Sequence, residues 1–238
     1  MVIVQHFSGS VKAYIDITLA RGRVFAVPKH CPHPACQAAD SLIGWGSYER
    51  SAVTLEADYR VRIWRVRCKV CGRTHSLLPD FLHPHRHFVL HLLQHVVSLY
   101  LLAGLGWRRL LRRLQGRGPA RSTVREWVAS FAYGAGHLLF DRLLCHLLTL
   151  QPDTELPQRP PDHPNRVPDP CQRRRLEKAH TFWLLAERLY AQLKARLPRL
   201  HFTAHQFLAF LLHWLQDQQL SPRLFWSPGL HTTPTRPF

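Results

Sequence analysis

Cys31-Pro-His-Pro-Ala-Cys36 and, after thirty-one intervening residues, Cys68-Lys-Val-Cys71-Gly-Arg73 are the stretches on which the reading of this fold turns. Two thiolates separated by two residues can meet one tetrahedral Zn²⁺. Gly72 permits the tight turn in which backbone amides face sulfur. Together the pairs predict a zinc ribbon, with Cys31, Cys36, Cys68 and Cys71 holding a structural Zn²⁺. The first pair is wider than a two-residue knuckle and encloses His33, a rival ligand. His75, four residues beyond Cys71, is another. The bland alternative is four unrelated buried thiols.

Working outward, residues 1–82 read as a β-rich domain. Val24 to Pro28 is an apolar run leading into the first pair. Ser51 to Leu55 and Tyr59 to Arg67 read as strands joined at Ala57-Asp58. Arg60 and Arg62 alternate with Val61 and Ile63, as in a half-buried strand. The phase slips at Ile63-Trp64, which predicts a bulge or a second buried face. This hairpin delivers Cys68 and Cys71 to the metal.

From Pro84 the period becomes helical. Phe88, Leu92, Leu93, Val96, Val97, Tyr100 and Leu101 share one face, and Gly104 and Gly106 end the helix. Trp107 to Leu114 forms a second helix and Ser122 to Phe131 a third, with Ser122 as N-cap. A helical apolar pattern resumes from His137 to Leu150. The predicted organisation is a helix-turn-helix domain over 83–150, a Pro-rich linker over 151–170, a C-terminal helical region over 171–220 and a loose tail over 221–238. The fold class is α+β, mostly α.

Thirty-two Lys and Arg against fifteen Asp and Glu give a net charge of +17, which suits an anionic partner such as nucleic acid. The charge clusters. Arg108, Arg109, Arg112 and Arg113 surround the Trp107, Leu110, Leu111 and Leu114 face of the second helix, and Arg117 and Arg121 follow in the turn. In the third helix Val124, Trp127, Val128 and Phe131 form a buried stripe. Thr123, Arg125, Glu126, Ala129 and Ser130 form the other face. A recognition helix needs this division. Thr123 and Arg125, just after Ser122 at its N-terminus, stand for base edges, and the remaining arginines meet phosphates. Duplex DNA is the expected partner, and an ordinary basic helical hairpin is the plain alternative.

Arg65-Val-Arg-Cys-Lys-Val-Cys-Gly-Arg-Thr-His-Ser-Leu-Leu-Pro79 resembles the end of the zinc ribbon in bacterial insertion-sequence transposases. Ser122-Thr-Val-Arg-Glu-Trp127 resembles the start of their recognition helices. Across roughly residues 25 to 135 the chain is similar to an uncharacterised family of transposase-like proteins. The resemblance implies structural zinc on the four cysteines and helices that bind transposon ends or a related site. The wide first pair departs from the family's spacing. A full transposase continues into a ribonuclease H-like domain with three carboxylates around two metal ions. After Phe131 no acid ends a β-run, so transposase catalysis is not expected, and no other motif frames an enzyme. The reading is a DNA-binding accessory, regulator or truncated relic. The rivals are an interaction module for a transposase catalytic subunit and a structured-RNA-binding protein.

Cysteine usage suits a reducing cytosol, and the expected location is cytoplasmic and nucleoid-associated, with no membrane partner. His91, Gln94, His95 and Ser98 interrupt the one apolar stretch that suggests a span. His87, His91 and His95 share a helical face, which is explained by its polarity. His83 and His85 could add phosphate contacts. The apolar faces of the C-terminal helices read as core or as surfaces for self-association. Arg173, Arg174 and Arg175 read as a solvated helix start.

Overall fold

The computed structural model describes residues 1–114, 118–156, 167–196 and 206–226. In chain order it comprises β1 (Val2–Gln5), α1 (Val11–Arg21), β2 (Leu42–Val53), β3 (Asp58–Cys68) and β4 (Thr74–Pro79). There follow α2 (Leu90–Leu101), α3 (Trp107–Arg113), α4 (Arg121–Tyr133), a π-helical segment (Gly134–Leu139), α5 (Phe140–Leu150), α6 (Pro170–Arg196) and α7 (Phe207–Asp217). The protein is α+β and mostly α, as the sequence predicts. It divides into two units, one of residues 1–92 and 208–223, the other of residues 93–207 and 224–238.

In the first unit four strands form one sheet in the order β1-β4-β3-β2. β1 runs parallel to β4, and the other pairs are antiparallel. Val61, Ile63, Val66 and Cys68 of β3 are buried while Arg60 and Arg62 are exposed. The phase slip has its cause across the ladder. Gly44 pairs with Val66 and Ser47 with Trp64, so Trp45 and Gly46 together face Arg65. Gly46 takes φ +74°, the left-handed conformation a glycine tolerates at a bulge. The hairpin turns at Thr54, whose hydroxyl accepts from the Glu56 and Ala57 amides.

α1 escapes the sequence reading. Ser10 caps it by accepting from the Ala13 amide at 3.1 Å. It buries Tyr14, whose hydroxyl donates to the Arg62 carbonyl at 3.0 Å and whose ring meets Phe7, Phe25 and Phe81. The apolar run from Val24 to Pro28 brings Phe25 onto Tyr14. α7, placed with the C-terminal helices by the sequence reading, belongs over residues 208–217 to this sheet unit, where Leu208, Leu211, Leu212 and Leu215 are buried.

The second unit is helical. Val124, Trp127, Val128 and Phe131 of α4 are buried as their spacing predicts. Each such side chain removed from water contributes on the order of 1.5–3 kcal/mol. Phe131 meets Phe182 and Trp183 of α6 and also Phe225. The predicted loose tail therefore does not begin at 221: Leu224 and Phe225 are buried, and the Trp226 amide donates to the Ser130 carbonyl. Phe182, Leu185, Ala186 and Leu189 of α6 are interior residues of this unit. Gly134 and Gly136, read from sequence as weak points, sit in the π-helical segment. A Cβ on Gly136 would stand 2.5 Å from the Ala179 backbone, so glycine is what lets the segment approach α6. Among the described residues no helix is long and apolar enough to cross a membrane.

Candidate functional site

The second knuckle forms where β3 ends and β4 begins. The Gly72 amide donates to the Cys68 carbonyl and the Cys68 amide to the Arg73 carbonyl, closing the turn between the two thiols. Gly72 takes φ +70° there. The first knuckle is a turn around His33, whose carbonyl accepts from the amides of Cys36 at 2.8 Å and Gln37 at 3.1 Å. The Cys31 amide donates to the Ala38 carbonyl, and the Lys69 amide donates to the Ser41 carbonyl, which joins the two knuckles.

This backbone brings all four sulfurs within 4.8 Å of one another. Cys31 and Cys71 Sγ lie 3.8 Å apart, as do Cys36 and Cys68 Sγ. The group could hold a metal ion. The four-residue spacing of the first pair does not keep Cys31 and Cys36 from converging, because the His33 turn draws them together. Neither His33 nor His75 belongs to the converging set. His75 is buried, with Nε2 3.6 Å from Cys31 Sγ, within reach of an N–H···S hydrogen bond. Burial pushes its pKa down to about 4, so it stands beside the sulfur as a neutral imidazole.

The thiols differ in their electrostatics. Burial pushes Cys31 up to about 12. Cys68 is drawn down to about 6, first by the Ser41 hydroxyl 3.3 Å from its sulfur and then by the Cys71 amide. Cys145 and Cys171 are exposed and lie apart from this group.

In the helical unit Arg108, Arg109, Arg112 and Arg113 are all exposed around buried Leu110. Trp107 stacks on Tyr100 with ring centroids 4.2 Å apart, anchoring the start of α3 to the end of α2. Arg121, Ser122 and Arg125 are exposed on α4, and Thr123 is half-buried. Ser122 is not the N-cap. The helix starts one residue earlier, with Ala120 at the cap and no side-chain cap bond. Ser130 is also misplaced by the sequence reading: it is buried, with its hydroxyl donating to the Trp127 carbonyl. Arg117 lies outside the described residues. His83 is interior and closed to phosphate, whereas His85 is exposed. His91 and His95 are exposed on the polar face of α2.

A second convergence was missed from the sequence. His6, Asp80 and His213 bring ligand atoms within 4.8 Å of one another. Asp80 had a readable signal, an acid directly after the apolar run Leu77-Leu78-Pro79. His6 and His213 had none.

The fold and its thiol group define an α+β protein with a four-cysteine knuckle centre in one unit and a helical second unit edged with arginine. Residues 31–102 match the model of a domain of unknown function, DUF6431. The matched stretch holds all four converging cysteines, β2 to β4 and α2, and stops short of α3. No curated protein and no solved structure matches the chain.

Proposed function

We propose that the protein is a zinc-containing DNA-binding protein, a transposase-related accessory or regulator that grips duplex DNA with α3 and α4. The observation that carries the reading is the exposed arginine row: Arg108, Arg109, Arg112 and Arg113 on α3, with Arg121 and Arg125 on α4. No acidic residue lies within α3, and a duplex offers a regular array of phosphates to such a row. Ser122, Thr123 and Arg125 on the first turns of α4 supply short polar side chains and one fork for base edges. The net charge of +17 acts in the same direction at longer range.

Zinc in this reading is structural. Four sulfurs placed about 2.3 Å from a central ion stand about 3.8 Å apart in a tetrahedron. The separations of Cys31 from Cys71 and of Cys36 from Cys68 are both 3.8 Å. With four protein thiolates and no open position, the ion ties β3, β4 and the loop before β2 together and takes no part in chemistry.

Selection from a randomised duplex pool with zinc-loaded protein, at near-physiological salt, tests the proposal. An enriched motif supports it. Only salt-sensitive binding without enrichment removes sequence recognition, and preference for structured RNA in competition favours RNA as the partner.

A further inference from the structure

We propose that His6, Asp80 and His213 form a second metal site, distinct from the four thiols, for a divalent first-row transition ion such as Zn²⁺ or Fe²⁺. The geometry starts in the sheet. β1 and β4 run side by side in the same direction with Gln5 opposite Pro79, so His6 and Asp80 emerge together from one end. The Asp80 amide donates to the Gln5 carbonyl at 2.9 Å and holds that register one residue further. α7 brings His213 to the same point.

The two imidazoles address one oxygen. His6 Nδ1 lies 2.7 Å and His213 Nε2 3.1 Å from Asp80 Oδ2. The other oxygen, Oδ1, accepts the Phe7 amide at 3.1 Å, which fixes the plane of the carboxylate and leaves Oδ2 for the imidazoles. This is a single carboxylate oxygen and two imidazole nitrogens converging, a donor set suited to zinc, iron or cobalt rather than calcium or magnesium.

Charge makes the same case. The Asp80 side chain is 2% exposed, and among the described residues no Lys or Arg pairs with it. Burying a carboxylate without a cation costs several kcal/mol, which hydrogen bonds from N–H donors offset only in part. A divalent ion shared by the three groups compensates the charge directly. The site is also reachable: the His6 and His213 side chains are 30% and 17% exposed. Three protein donors with a solvent-facing side leave coordination positions for water, unlike the closed four-sulfur group.

The experiment counts metal. Full-length protein and the His6→Ala/His213→Ala double variant are loaded with excess Zn²⁺, desalted, and assayed for zinc per chain. The wild type is expected to keep one equivalent more than the variant, whatever number the thiols retain. Equal zinc in two folded proteins, judged by circular dichroism, overturns the proposal and leaves the triad as a hydrogen-bonded tie. Should the double variant not fold, X-ray absorption at the zinc edge of the loaded wild type decides. Nitrogen or oxygen neighbours at about 2.0–2.2 Å are expected, and sulfur at about 2.3 Å alone overturns the site.

Discussion

The side-chain amide of Gln216 brackets the backbone of Val4. Its Oε1 accepts the Val4 amide at 2.7 Å and its Nε2 donates to the Val4 carbonyl at 3.3 Å. β1 is an edge strand, and its free backbone groups invite pairing with another chain. Gln216 supplies the donor and acceptor that a neighbouring strand would have supplied. Gln216→Ala leaves both groups of buried Val4 without these bonds and is expected to lower stability by about 1–3 kcal/mol. Urea unfolding of the two proteins measures it, and unchanged midpoints would show that the bracket contributes nothing.

Gly136 permits the close approach of the π-helical segment to Ala179. The atoms in the way are backbone, which cannot swing aside as a side-chain tip can. Gly136→Ala is expected to destabilise the protein by about 1–3 kcal/mol through overpacking. Gly44→Ala serves as the control, because a Cβ there meets nothing within 4 Å. A thermal melt in which both variants fall equally would contradict the argument from contact.

Which parts were legible in the sequence follows from range. The Cys68-x-x-Cys71 knuckle is local, set by a turn that Gly72 announces, and the α4 stripe is a repeat within one helix. Both were readable. The bulge left only its symptom, a phase slip in β3, because the extra residue lies in β2. α1 was hidden because its polar and apolar residues scarcely segregate, and what marks it is the cap at Ser10 and one tyrosine. The His6, Asp80 and His213 convergence and the Gln216 bracket join residues more than seventy or two hundred positions apart. No period or spacing carries such information, and only the folded chain, through the β1–β4 register and the placement of α7, reveals it.

Burial pushes the His83 pKa down to about 3, against an unfolded value near 6.5. The unfolded chain therefore binds a proton at this residue that the folded chain refuses between those values. The stability is fully present above about pH 6.5 and is lost as pH falls toward 3, reaching on the order of 2 kcal/mol by pH 5. Urea midpoints at pH 7 and pH 5 for wild type and His83→Gln isolate this contribution, since other groups titrate in both. The variant is expected to lose less on acidification, and parallel losses would refute the assignment to His83.

Cys68 sits between Cys36 at 3.8 Å and the Ser41 hydroxyl at 3.3 Å, so its loss opens the thiol group at its most readily ionised member. Cys68→Ser is expected to abolish zinc retention at that group and to loosen β3 and β4 near the knuckle. Cys145→Ser, exposed on α5, is expected to change neither. Zinc content after chelator treatment, with hydrogen exchange over residues 60–80, distinguishes the two.

Arg112 and Arg125 are both exposed, but one lies in the arginine row of α3 and the other on the second turn of α4. A phosphate contact stabilises every duplex alike and releases counterions, whereas a contact to a base edge distinguishes sequences. Arg112→Ala is therefore expected to weaken all duplexes uniformly and reduce the slope of log affinity against log salt by about one. Arg125→Ala is expected to cost about 1–3 kcal/mol on the preferred site, with far less on others, so that preference relaxes. Affinities across a salt series on a selected and a scrambled duplex separate the two effects. Identical behaviour of the variants on both duplexes would erase the division of labour between α3 and α4. Recognition would then reduce to charge alone.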